Sequence, residues 1–195
     1  MISKSTLIEL YIKKKLSMEQ VANKLNCSAN KVVYWMNRHE LKRRSISDGV
    51  YAKHNPNGDP FLVRKPCTPK ETLLHGIGLG LYWGEGTKAN KGSIRLGNTD
   101  PRLIKIFIQF LKQAYNINPK KLRFGIQVFS NMSPTRALKF WRNTLQVSET
   151  QFIKVIVTPS RGTGTYGRKI QHGVLTVYYH NRKLRDILCS EIEKI

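Results

Sequence analysis

Apolar positions in the first part of the chain recur at the spacing of short amphipathic helices. Residues 3–16 carry one such set, and a second set follows Ser17, formed by Val21, Ala22 and Leu25. Ser17 and Gln20 match a capping box, and Ser28 suits the N-cap of a third helix that runs to about His39. The pattern therefore predicts three helices within residues 1–47.

The connection between the second and third helices has the character of a tight turn. Asn26 occupies the turn and tolerates a left-handed conformation, Ala22 is small enough for a helix crossing, and Val32 and Trp35 are expected in the core. This arrangement resembles a helix-turn-helix of the kind found in resolvases and sigma-factor-like domains. The resemblance implies a third helix in the major groove and phosphate contacts after it. The helix residues concerned are Asn30, Lys31, Tyr34, Asn37 and Arg38, followed by Lys42, Arg43 and Arg44.

Residues 1–47 also allow a second interpretation, a small three-helix unit with a solvated basic face. Residues 48–67 contain Asp-Gly, Asn-Pro, Asn-Gly and Asp-Pro pairs with little periodicity, which predicts a linker. The sequence thus predicts two domains, residues 1–47 and 68–195.

Residues 68–195 mix helical and strand patterns. Thr68, Pro69 and Glu71 predict the start of a helix that runs toward Gly84. Strands are expected at 92–98, alone or paired with an arm from Gly86, at 121–129, at 152–158 and at 174–180. Helices are expected after Asp100, over 133–145 and over 181–194. The fold class is therefore α+β, with a mixed or antiparallel sheet.

Composition points to a polyanionic partner. The 195 residues include 34 Lys and Arg against 12 Asp and Glu, for a formal net charge of +22. Residues 86–185 hold 19 of these basic residues and two acids, which favours nucleic acid. No run approaches the roughly 20 apolar residues of a membrane span, and no signal-peptide pattern is found, so we expect a cytoplasmic protein without a membrane. The three cysteines are isolated, which predicts neither a disulfide framework nor a zinc site.

The helix after Thr68 contains an unusual row of glycines. Gly76, Gly80 and Gly84 recur every four residues, although each mid-helix glycine costs roughly 1 kcal/mol relative to alanine. Such a row predicts a face that another helix backbone approaches closely. Glu85 follows at the C-terminal end, where the helix dipole disfavours a carboxylate.

Residues 78–86, GLGLYWGEG, resemble the LAGLIDADG motif of homing endonucleases. The matching positions are Gly80, Leu81, Gly84, Glu85 and Gly86, and the departures are Gly78, Leu79 and Trp83. The following run SIRLGNTDPRLIKIFIQFL is similar to the segment that the family places after its motif. The resemblance spans about residues 68–195, with the helix at 133–145 additional to the αββαββα outline.

The resemblance implies a saddle-shaped sheet and a C2 homodimer that binds roughly palindromic double-stranded DNA. The motif helices of two subunits would pack along Gly76, Gly80 and Gly84, and Glu85 of each would bind Mg²⁺ or another divalent cation for phosphodiester cleavage. A basic residue is expected near the scissile phosphate, either Lys154 or Lys169. The DNA contacts expected of the sheet and of the glycine-rich connection at 160–169 are Arg95, Arg123, Gln127, Thr176, Arg161 and Arg168.

The function, the role of Glu85 and the role of the glycine-rich connection each have an alternative interpretation. Some bacterial transcriptional regulators combine a degenerate LAGLIDADG domain with a helix-turn-helix and cut nothing, although the acid that degenerate domains can lose is present here. Glu85 could also be a surface acid paired with Lys88. The glycine-rich connection could equally be an ordinary exposed loop. A recombinase or transposase is disfavoured because no acid triad and no HNH-like histidine cluster is found.

Overall fold

The computed structural model describes residues 1–153, 155–160 and 171–195. Within these ranges the protein is α+β, as expected, and the chain forms two compact units, Met1–Pro60 and Phe61–Ile195. Every described helix is too short or too polar to cross a membrane.

The first unit consists of short helices around a small apolar core. Helix α1 (Lys4–Leu7) continues as a π-helix (Ile8–Lys13), and α2 (Met18–Lys24), α3 (Ala29–Arg38) and α4 (Ile46–His54) follow. The core residues are Ile2, Leu7, Leu10, Tyr11, Val21, Ala22, Val32 and Met36.

The ends of α2 and α3 are set locally. Gln20 N donates to Ser17 Oγ at 3.1 Å and Ser17 N donates to Gln20 Oε1 at 2.8 Å, which confirms the capping box. Asn26 has a φ of 46°, the left-handed conformation expected of the turn. The core assignment of Trp35 is only partly confirmed. Val32 and Met36, one helical turn apart, form the buried stripe of α3, and Trp35 is half-buried and packs against the same core.

The beginning of the expected linker is helical. Helix α4 starts at Ile46, and its N-cap Ser45 accepts from Asp48 N at 3.1 Å. Gly49 of the Asp-Gly pair therefore lies inside a helix instead of a turn. The N-cap stabilises the helix locally and outweighs the turn preference of the dipeptide.

The end of the expected linker belongs to the second unit. Phe61 is buried in the core of that unit, and residues 61–67, here called the arm, run along the end of a helix. Leu62 N and Arg64 N donate to the carbonyl oxygens of Tyr115 and Ala114 at 2.9 and 2.8 Å. These long-range bonds leave no local pattern in the sequence of the arm, so the prediction of a linker over 48–67 is wrong for both of its ends.

The second unit contains a four-stranded mixed sheet within the described residues. Its strands are β1 (Ile94–Asn98), β2 (Arg123–Phe129), β3 (Ile156–Thr158) and β4 (Val174–Tyr179), in the order β1-β4-β2-β3. Strand β4 is antiparallel to both β1 and β2, whereas β3 is parallel to β2. The hairpin strand expected to begin at Gly86 is reduced to a single bridge between Gly86 and Leu96. Phe152 likewise forms only a bridge, to Phe124.

Four helices complete this unit among the described residues. They are α5 (Pro69–Glu85), α6 (Pro101–Tyr115), α7 (Pro134–Leu145) and α8 (Arg182–Ile192), capped by Thr68, Asp100, Ser133 and Asn181. Short 3-10 turns span Pro119–Lys121 and Glu149–Gln151. The core lies between the helices and one face of the sheet, where the predicted inward residues of β2 are buried: Leu122, Phe124, Ile126 and Val128.

Candidate nucleic-acid interface

The face of the sheet that points away from the core, here called the open face, carries basic and aromatic side chains. The strand register places Arg95, Tyr178 and Arg123 side by side across β1, β4 and β2. Because the neighbouring Val177 is buried in the core, alternation directs this row to the opposite face. Arg95 Cζ lies 5.3 Å from the Tyr178 ring centroid, a distance at which cation–π attraction orients the guanidinium.

The next positions of the open face are polar or lack a side chain. Thr176 lies between Gly97 and Gly125, and the side chains of Tyr178 and Ile153 cover Gly125. Gln127 is exposed, and its Nε2 donates to Thr158 Oγ1 at 2.9 Å. The structure therefore brings together on one face the residues predicted as contacts of the sheet: Arg95, Arg123, Gln127 and Thr176.

The open face is positively charged. None of the four described strands contains an Asp or Glu residue. Arg123 Nη1 donates to the carbonyl oxygens of Lys120 and Leu122, both at 2.9 Å, which holds the guanidinium at the end of β2. A positively charged surface with hydrogen-bond donors suits a phosphate backbone.

Tyr178 and His180 extend the open face and were absent from the predicted contacts. Their rings are nearly parallel, with centroids 6.1 Å apart. Partial burial, followed by the charges of Arg95 and Arg123, lowers the pKa of His180, so the imidazole is neutral near pH 7. The period-two alternation that directs Thr176 outward applies equally to residues 178 and 180, and it could have identified both.

One face of α5 is packed within the chain. Leu79 and Tyr82 are buried there, and the Tyr82 ring stacks on Phe107 with centroids 6.0 Å apart. A Cβ added to Gly78 would lie 2.1 Å from Phe110 Cγ. Gly78 is therefore required for the close approach of α5 and α6.

The other side of α5, here called the bare face, consists of Leu73, Gly76, Ile77, Gly80, Trp83 and Gly84. A Cβ added to any of these glycines would meet no atom within 4 Å among the residues that the structure describes. The three larger side chains are 65%, 41% and 56% exposed, respectively. The structure thus places the three glycines predicted as a helix seam on one exposed, largely apolar face.

Glu85 is the last residue of α5 and is exposed. It forms no ion pair with a described residue, and Lys88, the alternative partner, instead donates from Nζ to the Trp83 carbonyl oxygen. No group of three or more His, Cys, Asp or Glu side chains that could hold a metal exists in the described part of the chain. A divalent cation at Glu85 would therefore need oxygen ligands besides this carboxylate.

Several predicted residues lie outside the described ranges. They are Lys154, Arg161, Arg168 and Lys169. The choice between Lys154 and Lys169 as the basic residue near the phosphate, and the role of the glycine-rich connection, therefore stay predictions.

In the first unit, α3 presents an exposed polar side. Arg38 Nη1 donates to Tyr34 OH at 3.4 Å, and Arg38 Cζ lies 6.0 Å from the Trp35 ring centroid. These contacts order a basic and aromatic surface along the helix. All the helix residues predicted to face DNA are exposed: Asn30, Lys31, Tyr34, Asn37 and Arg38.

Arg44 has a structural role within the first unit. Its guanidinium donates to the carbonyl oxygens of Tyr11, Lys15 and Leu16 at 2.9, 3.0 and 2.5 Å, and its Cζ lies 4.2 Å from the Tyr11 ring centroid. These carbonyl groups lie at or beyond the C-terminal part of the π-helix, where a cation satisfies them. Arg43 remains exposed beside it. Sequence spacing could not separate the two arginines, because the carbonyl groups that bind Arg44 come from a distant part of the chain.

Comparisons of the chain with protein-family models, with curated proteins and with solved structures find no match. The functional proposal therefore depends on the open face of the sheet, on α3 and on α5.

Proposed function

We propose that the protein is a homodimer that binds specific double-stranded DNA sites and cleaves them with a divalent cation held at Glu85. The observation that carries this proposal is the bare face of α5. Gly76 and Gly80 lie inside the helix and reduce its stability by roughly 1 kcal/mol each relative to alanine, and Gly84 lies in its last turn. No described residue occupies the space that the three glycines leave. A second helix backbone would use that space.

A second copy of α5 is the partner that fits best. In a C2 contact the same patch faces itself, so each glycine row would admit the backbone of the other helix. Leu73, Ile77 and Trp83 would supply the apolar area that the contact buries. The two Glu85 carboxylates would then come from equivalent ends of two equivalent helices.

The chain order of the second unit supports the resemblance to LAGLIDADG proteins. The order of α5, the single bridge at Gly86, β1, α6, β2, β4 and α8 corresponds to αββαββα if the bridge stands for the first strand. Residues 130–173, which include α7 and β3, lie between β2 and β4 as an insertion. We therefore propose that the open face is the saddle that contacts DNA, with Arg95 and Arg123 toward phosphates and Thr176 and Gln127 toward base edges.

The first unit is proposed to extend the recognised site. Helices α2 and α3 with the left-handed turn at Asn26 have the form of a helix-turn-helix. Residues near the start of α3, Asn30 and Lys31, would reach base edges in the major groove, and the exposed Arg43 would hold a phosphate.

A divalent cation such as Mg²⁺ would be held by Glu85 of each copy, and when bound it would act as a Lewis acid on the scissile phosphate. The chain itself prepares the position of this carboxylate. The Lys88 ammonium group on the Trp83 carbonyl oxygen partly neutralises the negative end of α5. This contact reduces the repulsion between two helix ends that each carry a carboxylate.

A DNA-binding regulator without nuclease activity is the second candidate. The observation that favours it is the isolation of Glu85, since the described residues contain no cluster of metal-ligating side chains. Both candidates require the same DNA-binding surfaces and differ only in catalysis.

The test begins with selection of bound and cleaved duplexes from a random DNA pool in the presence of Mg²⁺. We expect binding to weaken with salt at a log-log slope of about −0.9 per phosphate contacted, and a flat salt dependence would exclude both candidates. We expect the full-length protein to cut plasmids that carry the selected site. Glu85→Gln should bind equally well and fail to cut, while Glu193→Gln, which removes another exposed carboxylate, should cut normally. Tight binding without cleavage in Mg²⁺, Mn²⁺ or Ca²⁺ would establish the regulator.

A further inference from the structure

A cleft of about 640 Å³ opens on the helical side of the second unit, between the arm and helices α5 and α6. This volume lies within the roughly 300–1,000 Å³ range of small-molecule sites. None of the residues that line it belongs to the open face or to the bare face of α5, and Glu85 is not among them. The proposed function therefore leaves the cleft unexplained.

The wall formed by the arm is held in place by hydrogen bonds. Leu62 N and Arg64 N donate to backbone oxygens at the end of α6. At the α5 end of the arm, Cys67 N and Thr68 N donate to Glu71 Oε2 at 2.9 and 3.1 Å. The cleft is therefore preformed, which reduces the entropy lost when a ligand binds.

The lining combines an apolar floor with a basic rim. The apolar residues of the lining are Leu74, Phe110 and Ala114, of which Phe110 and Ala114 are buried, and the exposed Arg64 and Lys65 lie at the rim. An apolar floor accepts a flat ring, whereas cations at the edge accept a phosphate.

Two polar side chains of α5 in the lining, Glu71 and His75, already have hydrogen-bond partners within the chain, whereas Gln113 of α6 is exposed. The backbone N–H of Cys67 is the main cause that lowers the pKa of Glu71, so this acid stays charged with Arg64 nearby. His75 is bound through Nε2 to Glu191 Oε2 at 2.9 Å. Gln113 is exposed at the edge of the cleft, and its amide can both donate to and accept from the edge of a base.

We propose that this cleft binds a nucleotide, with the phosphate on Arg64 and Lys65, the base against the apolar floor and the base edge at Gln113. The ligand is a nucleoside monophosphate group, either free or as an unpaired residue of a single strand. A base in a continuous duplex is stacked and paired, so it cannot enter the cleft.

Cys67 provides a reporter inside the cleft. Its thiol is exposed, whereas Cys27 and Cys189 are half-buried and lie elsewhere. We expect AMP, GMP, CMP or UMP, or a short single-stranded oligonucleotide, to slow alkylation of Cys67 in the full-length protein. At about ten times the dissociation constant the rate should fall about tenfold, because alkylation reports the empty fraction. Alkylation of Cys27 and Cys189, read from the same digest by mass spectrometry, should not change.

Matched variants separate the shape of the cleft from its charge. Gln113→Trp places an indole at the edge of the cleft without a change of charge and should abolish binding of the mononucleotide in calorimetry. Gln109→Trp, one turn earlier on the exposed side of α6, should bind as wild type. Arg64→Gln with Lys65→Gln should lose Cys67 protection, whereas Arg136→Gln with Lys139→Gln, which removes two charges from α7, should retain it.

Comparison of the ligands shows whether the cleft binds free nucleotides or nucleotides within a single strand. Protection by both mononucleotides and single strands indicates a site for any nucleotide, and protection by single strands alone indicates a strand-binding site. Protection by duplex DNA only, equal protection by inorganic tripolyphosphate, or absence of protection by every nucleotide would each overturn the proposal.

Discussion

Gly78 and Gly80 lie two residues apart in α5 and serve different needs. Gly78 faces α6, where an added Cβ would lie 2.1 Å from Phe110 Cγ, whereas the same atom at Gly80 would meet no described neighbour within 4 Å. The first glycine is explained by the packing of the chain itself. The second has no such explanation among the described residues, although it weakens its own helix. The proposed contact with a second copy of α5 would account for it.

Glycines of the same helix can therefore have different roles, depending on the helix face on which each one lies. Gly78 departs from the resembled motif and is required for the fold. Gly76, Gly80 and Gly84 lie on the bare face, where we propose that a second copy of α5 packs. Arg44 and Arg43 also differ, because the Arg44 guanidinium donates to three carbonyl oxygens whereas Arg43 is exposed.

The largest effect is expected from Gly78→Leu. A leucine at this position collides with the buried Phe110 ring, and overpacking of a core costs about 1–3 kcal/mol or more. We expect a poorly folded second unit by circular dichroism and thermal melting. Gly80→Leu is the matched control and should melt cooperatively, since its side chain has room. A Gly80→Leu protein as unfolded as Gly78→Leu would show that the two faces do not differ.

Gly80→Leu should also separate the dimer. The leucine side chain holds the two helix backbones apart, and we expect the dimer dissociation constant to rise about 100-fold, or roughly 3 kcal/mol. Sedimentation velocity across a concentration series measures this change. A folded Gly80→Leu protein that dimerises as wild type would place the subunit contact on another surface.

Arg44→Met should destabilise the first unit by about 2 kcal/mol, because it leaves carbonyl oxygens without their charged donor. Arg43→Met should change stability by less than about 0.5 kcal/mol and should reduce the salt slope of DNA binding by about one phosphate contact. Urea unfolding and binding titrations at several salt concentrations measure the two effects. Equal destabilisation by the two variants would contradict the structural role assigned to Arg44.

The smallest effect is expected at His180 on the open face. Burial and the charges of Arg95 and Arg123 lower its pKa in the free protein, and bound phosphates would offset those charges and raise it. DNA binding then takes up a proton, so affinity should increase about two- to threefold as the pH falls from about 7.5 to 6. His180→Gln should remove this pH dependence. An equal pH dependence in the variant would place the proton uptake elsewhere.

Much of the secondary structure could be predicted because its causes are local. The N-caps at Ser17, Ser28, Thr68, Asp100, Ser133 and Asn181 lie next to the helices they begin, and each is present. The alternation of β2 is equally local, since neighbouring side chains of a strand point to opposite faces. For the same reason, the polar positions of the open face could be assigned before their partners in the sheet were known.

Tertiary contacts decided what local patterns could not. Three features depend on atoms that are distant in sequence: the full burial of Met36 and not of Trp35, the hydrogen bonds of Arg44, and the packing of the arm against α6. The cleft exists only because the arm crosses the end of α6.

The sequence by itself determined that α5 is rich in glycine and ends in an acid. Only the tertiary structure decided which glycines are covered and which are exposed, because that distinction depends on where Phe110 lies.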